Sequence, residues 1–311
     1  QIAEPLMRHR GLTREAALSR SQASADQTRL EQLQRLENLF PPGAAGIGAA
    51  ATDLFNSFTD VANAPQDLSA RQVVLSKAQE LASRMRVTSE QVESLQQGVV
   101  SDLRANVATV NSLAQQVAKL NDQIASVHAT GQPPNDLLDQ RDKLISDFNQ
   151  YVQVTTIPDA DGTMGLFVGG GQVLVLGSQA NQLAVTPDIF DANKGRLSID
   201  IGGVTRELST ASIAGGSMLG LLQFQDNDLT DARNMLGQLA AAMAQQVNTQ
   251  QSLGLDLNNV SLHVATRSGG GPIFSVGGPR IMTASTNAAS DTNVSVTVTD
   301  ADGEVLATTI T

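Results

Sequence analysis

The sequence predicts an α+β protein, elongated and multi-domain: a long antiparallel helical bundle, an antiparallel β unit inserted into it, and a further C-terminal β region. Three observations predict it. The apolar row Val92, Leu95, Val99, Leu103, Val107, Val110, Leu113, Val117, Leu120, Ile124 and Val127 advances about 3.5 residues per step, the period of a helix packed along another helix. At Tyr151 that period gives way to alternation, and helical spacing resumes only after Gly215 and Gly216. From Val260 onward Ser, Thr, Gly and Asn dominate, with clear alternation at Val294, Val296 and Val298 and again near Val305. The predicted domains are residues 1–150 with 217–258 as one discontinuous helical domain, 151–216 as the inserted β-rich unit, and 259–311 as a second, truncated β-rich region.

Each element has its own signal. Thr13 to Phe40 is rich in Ala, Gln, Arg and Leu, with Leu30, Leu33, Leu36 and Leu39 or Phe40 in a stripe, and Pro41, Pro42 and Gly43 stop it. Leu54, Phe55, Phe58 and Val61 mark a second helix closed by Pro65. Ser69 and Gln72 have capping-box spacing, so a helix is expected to start near Ala70, with a short break at Val87, Thr88 and Ser89 before the long row. After Gly131 to Pro134, Asn135 or Asp136 is expected to cap a return helix carrying Leu137, Leu138, Arg141, Leu144, Ile145 and Phe148. Strands are expected at Tyr151–Ile157, Met164–Val168, Val173–Leu176, Leu197–Ile201 and Val204–Leu208. A helix with Met218, Leu222, Leu229, Ala232, Leu236, Leu239, Met243 and Val247 on one face then runs to about Leu253.

Composition narrows the function classes. Of 311 residues 41% are hydrophobic, enough for real cores, yet aromatics are 3%, with no Trp and no Cys. Cores must therefore be built from aliphatic side chains and Ala, which favours close helix contacts. A net charge of −11 with scattered Lys and Arg opposes nucleic acid as a partner. The apolar stretches are too short or too periodic to span a bilayer. Without Cys there are no disulfides, thiolate nucleophiles or Cys-based zinc sites. Gln1 is not an initiator and Thr311 falls in strand-like sequence, so the expectation is a trimmed or processed piece of a longer polypeptide.

The sequence assigns no catalytic, cofactor-binding or metal-binding residue. Asp-Ala-Asp-Gly occurs at Asp159–Gly162 and at Asp300–Gly303, but the Gly and Glu positions of a calcium loop are missing, and hairpin turns explain both. Gly169-Gly170-Gly171 and Gly215-Gly216-Ser217 with Gly220 lack phosphate-loop spacing, and Ser217 reads as a helix cap. His9, His128 and His263 are far apart and without partners at ligand spacing. Asp136, Asp139 and Asp142 beside Arg141 and Lys143 could imitate a hydrolase's paired carboxylates, but Asp139 and Lys143 stand in acid-first order for a surface pair. Arg141, on the packed face, is expected to reach a carboxylate or exposed carbonyls of a neighbouring helix.

Several segments together resemble one family. Phe40, Asp53-Leu54-Phe55-Asn56-Ser57-Phe58, Val61-Ala62-Asn63-Ala64-Pro65 and Ala70-Arg71-Gln72-Val73-Val74-Leu75-Ser76-Lys77-Ala78-Gln79 look like the front half of the flagellar hook-associated protein 1 (FlgK) family. Asn135-Asp136-Leu137-Leu138-Asp139-Gln140-Arg141-Asp142 resembles its most recognisable stretch. The similarity continues through Gly215-Gly216-Ser217, Gly220-Leu221-Leu222, Asp228-Leu229, Ala232-Arg233, Leu236, Leu239-Ala240, Asn248, Gly254 and Asp256, where Gln251 or Ser252 replaces a common His.

The resemblance implies an exported, non-enzymatic structural component of the bacterial flagellum, a secreted junction between hook and filament required for filament assembly. It implies as partners neighbouring copies in a tube, the hook protein, the second junction protein and an export chaperone acting on terminal segments absent here. Terminal helices that form the family's inner domain are missing or only grazed, so the expected piece is the outer core and does not polymerise alone. Two rivals remain from the residues: a helical sensory or scaffolding module such as a receptor ectodomain, which would require transmembrane flanks, and a cell-wall hydrolase, which would require an acidic pair in a cleft.

Overall fold

The computed structural model describes the backbone of residues 3–129 and 134–252 with five strand segments between 262 and 309, and the side chains of residues 15–129 and 134–249. The α+β class holds, with helices and antiparallel sheets in two compact units: residues 1–50 with 82–233, and residues 51–81 with 234–311.

The first unit is organised along the row of apolar residues. Helix α1 spans Ala3–Glu37, α2 Ile47–Asn63, α3 Leu68–His128, α4 Asn135–Tyr151, α5 Ser217–Gln223 and α6 Thr230–Ser252; the first unit holds α1, α4 and α5, α3 from Ala82 on, and only the first turn of α2 and of α6. Val92, Val99, Leu103, Val107, Val110, Leu113, Val117 and Ile124 of α3 are buried, and Leu95, Leu120 and Val127 are half-buried. Each fully buried Leu or Val contributes about 1.5–3 kcal/mol. The seam does not face helices alone. A Cβ at Gly195, on a strand, would lie 3.4 Å from Leu103 Cδ1 and 3.5 Å from Val100 Cγ2, and one at Gly162 would lie 3.2 Å from Ile124 Cγ2. Sheets close part of the stripe that the heptad period assigns to a helix, because periodicity shows that a face is covered and not what covers it.

The β unit is two antiparallel meanders. Strands β1 (Thr155–Pro158), β2 (Met164–Val168), β3 (Gln172–Leu176) and β4 (Gln179–Ala180) pair in chain order, as do β5 (Gln182–Pro187), β6 (Gly195–Ile201) and β7 (Val204–Glu207). The turn from β2 to β3 runs through Gly169, Gly170 and Gly171 at φ 55°, 79° and 101°, a left-handed run open to glycine at little cost. Inward-facing Leu166, Val168, Leu174, Leu183, Leu197 and Ile199 join the same core as α3.

Several boundaries differ from the sequence expectation. Helix α1 starts well before Thr13, and α3 passes through Val87, Thr88 and Ser89 without a break. β-branched residues lower helix propensity by well under 1 kcal/mol each, and the flanking helix formers with buried Thr88 outweigh that. Asp67, not Ser69, caps α3: its Oδ1 accepts the Ser69 N–H at 2.8 Å. Helix α4 follows Pro134 with no side-chain cap, so neither Asn135 nor Asp136 plays that part. Tyr151 ends α4 rather than opening a strand; Val152 and Val154 alternate because they enter the core, while the Val154 N–H reaches Asn149 Oδ1 at 3.3 Å instead of a ladder. Strands β4 and β5 had no clear alternation in sequence.

The second unit holds the later part of α2, the first turns of α3, α6 from Asn234 on, and a five-stranded antiparallel sheet. Its strands β8 (Leu262–Arg267), β9 (Gly270–Val276), β10 (Ile281–Ser285), β11 (Ser295–Thr299) and β12 (Thr308–Thr309) follow chain order. Val296 and Val298 lie on β11, opposite Ala284 and Met282. Val294, Val305 and the second Asp-Ala-Asp-Gly turn lie outside the described residues. Leu54 and Leu81 are buried, and Lys77 bridges Asp53 at 3.1 Å and Glu80 at 3.2 Å.

Candidate functional site

Within the first unit, three carboxamides bind backbone as a strand would. Asn111 of α3 donates to the Leu183 carbonyl and accepts the Leu183 N–H, both at 2.8 Å. Asn121, three helical turns on and shut from solvent, donates to the Met164 and Gly177 carbonyls at 2.9 Å each and accepts the Met164 N–H at 3.1 Å. Gln225 makes the same two-way pair with Gly195, at 2.9 and 3.1 Å. A side-chain amide has the donor and acceptor of a peptide group, so it satisfies a sheet edge buried against a helix. The long helix is thereby tied to β2, the β3–β4 turn, and β5.

The third amide stands in a feature that periodicity hides. The helix expected over 218–253 is interrupted by a π turn at Phe224–Leu229, between α5 and α6. The wider turn buries Phe224, Gln225 and Leu229 while aiming two carboxylates apart. Asp228 takes a bidentate pair from Arg29 of α1, at 2.7 and 2.8 Å. Asp226 takes Arg196 Nη1 at 2.8 Å, while Arg196 Nε reaches Asp188 at 2.6 Å. Arg196 is raised above its ordinary value: burial pulls it down, and the hydrogen bonds and charges of Asp188 and Asp226 outweigh that. Asp188 is pushed down to about 2 by the Arg196 hydrogen bond first and then by the Phe190 and Asp191 N–H groups. The run Gln-Asp-Asn-Asp inside an apolar stripe was the available signal for these residues.

Arg141, the charged centre of the stretch Asn135–Asp142, is buried on α4. Its Nη1 donates to the Gly162 carbonyl at 2.8 Å, so its target is a hairpin turn and not the neighbouring helix expected from sequence. Asp159–Gly162 is that turn. Asp159 N–H reaches the Thr163 carbonyl at 2.9 Å, Gly162 sits at φ 84°, and Asp161 takes both the Thr163 hydroxyl at 2.6 Å and its N–H at 2.9 Å. Those two bonds hold the Asp161 carboxyl below its usual value. Two carboxylates spent on turn geometry explain the motif without a cation.

The other sequence candidates do not converge. Asp136, Asp139 and Asp142 are exposed along α4; Asp142 lies 3.6 Å from Arg141, and the expected Asp139–Lys143 pair is not formed. An exposed pair of that kind gains only about 0.3–0.5 kcal/mol, too little to fix two solvated side chains. Gly216, at φ 87°, caps α5, whereas Ser217 is its first residue and its hydroxyl accepts from Asn106 at 3.0 Å. A Cβ on Gly216 would strike the Tyr151 backbone, which is why this entry is glycine. His128 is exposed at the end of α3, His9 lies on α1 and His263 on β8. Among the described residues no group of three His, Cys, Asp or Glu side chains could hold a metal. Among them no helix is long and apolar enough to cross a membrane. What the arrangement does chemically is bind backbone and pair charge.

Comparison with known proteins places this architecture. Residues 33–265 match the family described as the helical domain of the flagellar hook-associated protein FlgK. The flagellar hook-associated protein 1 of Escherichia coli (strain K12) is 32% identical over 96% of this chain and 53% of its own length. That of Bacillus subtilis (strain 168) is 29% identical over 62% of this chain and 36% of its own. The solved structure of the flagellar hook junction protein FlgK from Burkholderia pseudomallei superposes with a TM-score of 0.74 at 30% identity, over 95% of this chain and 56% of that one. The chain thus spans about half the length of the Escherichia coli relative and of that structure. Its helices, its inserted meanders and the aligned sequence together make it a member of the flagellar hook-associated protein FlgK helical-domain family.

Proposed function

We propose that this chain is a structural, non-enzymatic part of the bacterial flagellum, exported from the cell and seated in the junction between hook and filament, where filament growth depends on it. Its membership of the FlgK helical-domain family over residues 33–265 carries the reading. The use of its buried and half-buried polar groups supports it. Asn111, Asn121, Gln225, Arg141 and Arg196 are spent on fixing backbone and loops, which suits a part that must hold shape under load.

Its partners in this reading are neighbouring copies in a tube, the hook protein on one side and the second junction protein on the other. Export by a chaperone acts through terminal segments that the resemblance places beyond these residues. Residues 1–150 with 217–258 form the helical domain in this proposal, with 151–216 and 259–311 as β-rich modules. Immunogold labelling of an epitope fused after Gly202, in the exposed β6–β7 turn, tests the placement. Gold confined to a band between hook and filament is the expected result; gold along the whole filament or on the cell body contradicts it.

A further inference from the structure

The β5–β6 loop, residues 188–194, carries an apolar tip on a braced frame. Ile189 and Phe190 are 84% and 92% exposed, the two most exposed large apolar side chains among the described residues. Loops that expose such residues by accident are loosely held. This one is not: Asp188 N–H bonds the Lys194 carbonyl at 3.0 Å, and Asp188 Oδ1 accepts the Phe190 and Asp191 N–H groups at 2.7 and 3.0 Å. Arg196 clamps Asp188, Arg233 lies 3.3 Å from Asp191, and Lys194 Nζ reaches the Thr230 hydroxyl at 2.8 Å. Apolar side chains fixed before contact lose little entropy on binding, which is what an anchor requires.

The same unit has a hollow with a largely apolar lining, in which Ser83, Arg84, Thr88 and Gln91 are the polar members. Leu39, Phe40, Pro41, Ile47, Gly48 and Val87 line a space of about 410 Å³. Its wall is also braced, because Arg84 Nη1 donates to the Ala44 and Gly46 carbonyls at 2.7 and 3.1 Å. Resting on the junction reading above, we propose that Ile189 and Phe190 of one copy seat in this cavity of the next copy in the tube.

Three observations favour a second copy as the occupant. A projection and a hollow at different places on one folded unit make a heterologous contact, which propagates around a ring or along a helix rather than stopping at a dimer. Copies carrying a net charge of −11 repel one another, so contact is cheapest where charge is already cancelled. The tip meets that condition, since Asp188 and Asp191 are each matched by an arginine beside them. Two side chains bury far less than the roughly 1,000 Å² of an independent interface, so this contact acts within an assembly that other contacts also hold.

These 311 residues contain no cysteine, so introduced thiols are the only ones among them, and the single variants control for any elsewhere. Ile189→Cys keeps Phe190 in place, and Gly48→Cys puts the second thiol on the lining of the hollow, where a Cβ would meet nothing within 4 Å. Both substitutions are introduced together into the native gene, isolated flagella are treated with a short bismaleimide, and the protein is resolved on a denaturing gel. The expected result is a ladder of dimers, trimers and higher multimers, with each single variant monomeric. Adding Phe190→Asp, at a position that contributes nothing to the core, reduces the ladder at least tenfold. Flagella that retain the protein but give only monomer, or an Ile189→Cys variant that dimerises by itself, overturn the contact while the junction reading stands. Absence of the protein from flagella overturns both.

Discussion

Single residues in this protein act through backbone groups more than through one another. Arg141 is the clearest case, a buried guanidinium whose partner is the Gly162 carbonyl. A hydrogen bond from a charged group contributes about 1.5–3 kcal/mol. Arg141→Met keeps the aliphatic packing and removes that bond, and an unfolding free energy in urea lower by about 1.5–3 kcal/mol is expected. Asp188 gives a pH signature. Its folded value near 2 lies below the ordinary 3.8, so its stabilisation is complete above about pH 4 and disappears as pH falls through 2. Acid titration followed by circular dichroism should show wild type more stable than Asp188→Asn at neutral pH and the two converging near pH 2; a constant gap would remove Asp188 from the account. Arg141 stood out in the sequence as a cation on a packed face. Its target did not, because a hairpin turn 21 residues away leaves no trace in helical periodicity.

Elements meet at close approaches that glycine permits. A Cβ on Gly220 of α5 would collide with the Ala25 carbonyl of α1, whereas one on Gly98 of α3 meets nothing within 4 Å. Replacing a helical Gly by Ala normally gains about 1 kcal/mol. Gly98→Ala is therefore expected to raise the melting temperature and Gly220→Ala to lower it, measured side by side; a gain at both sites would mean that α1 and α5 are not in contact through Gly220. Leu103→Ala, in the centre of the α3 seam, is expected to destabilise by about 2–5 kcal/mol in urea.

Long periodic elements were the legible ones. The α3 stripe, the return helix α4 and the hairpin at Asp159–Gly162 follow from spacing alone. The π turn did not follow, since one extra residue in a turn leaves Leu222, Leu229 and Leu236 at spacings that still read as helical. Asn111 and Asn121 also went unread. On the apolar stripe an Asn looks like an interruption, and only the sheet edge opposite shows it as a substitute peptide group.

At the scale of the whole molecule, an aliphatic core with few aromatics is combined with polar groups committed to internal structure. Such a chain suits the load-bearing part proposed above, in the family matched over residues 33–265. The chain by itself is expected to sediment as a monomer at micromolar concentration, because the tip and cavity of the first unit are too small to hold two copies alone. Electron microscopy of cells lacking the gene tests the central claim most directly. Cells with normal hooks, no attached filaments and filament subunits released into the medium are the predicted result; full-length filaments on those hooks would contradict it.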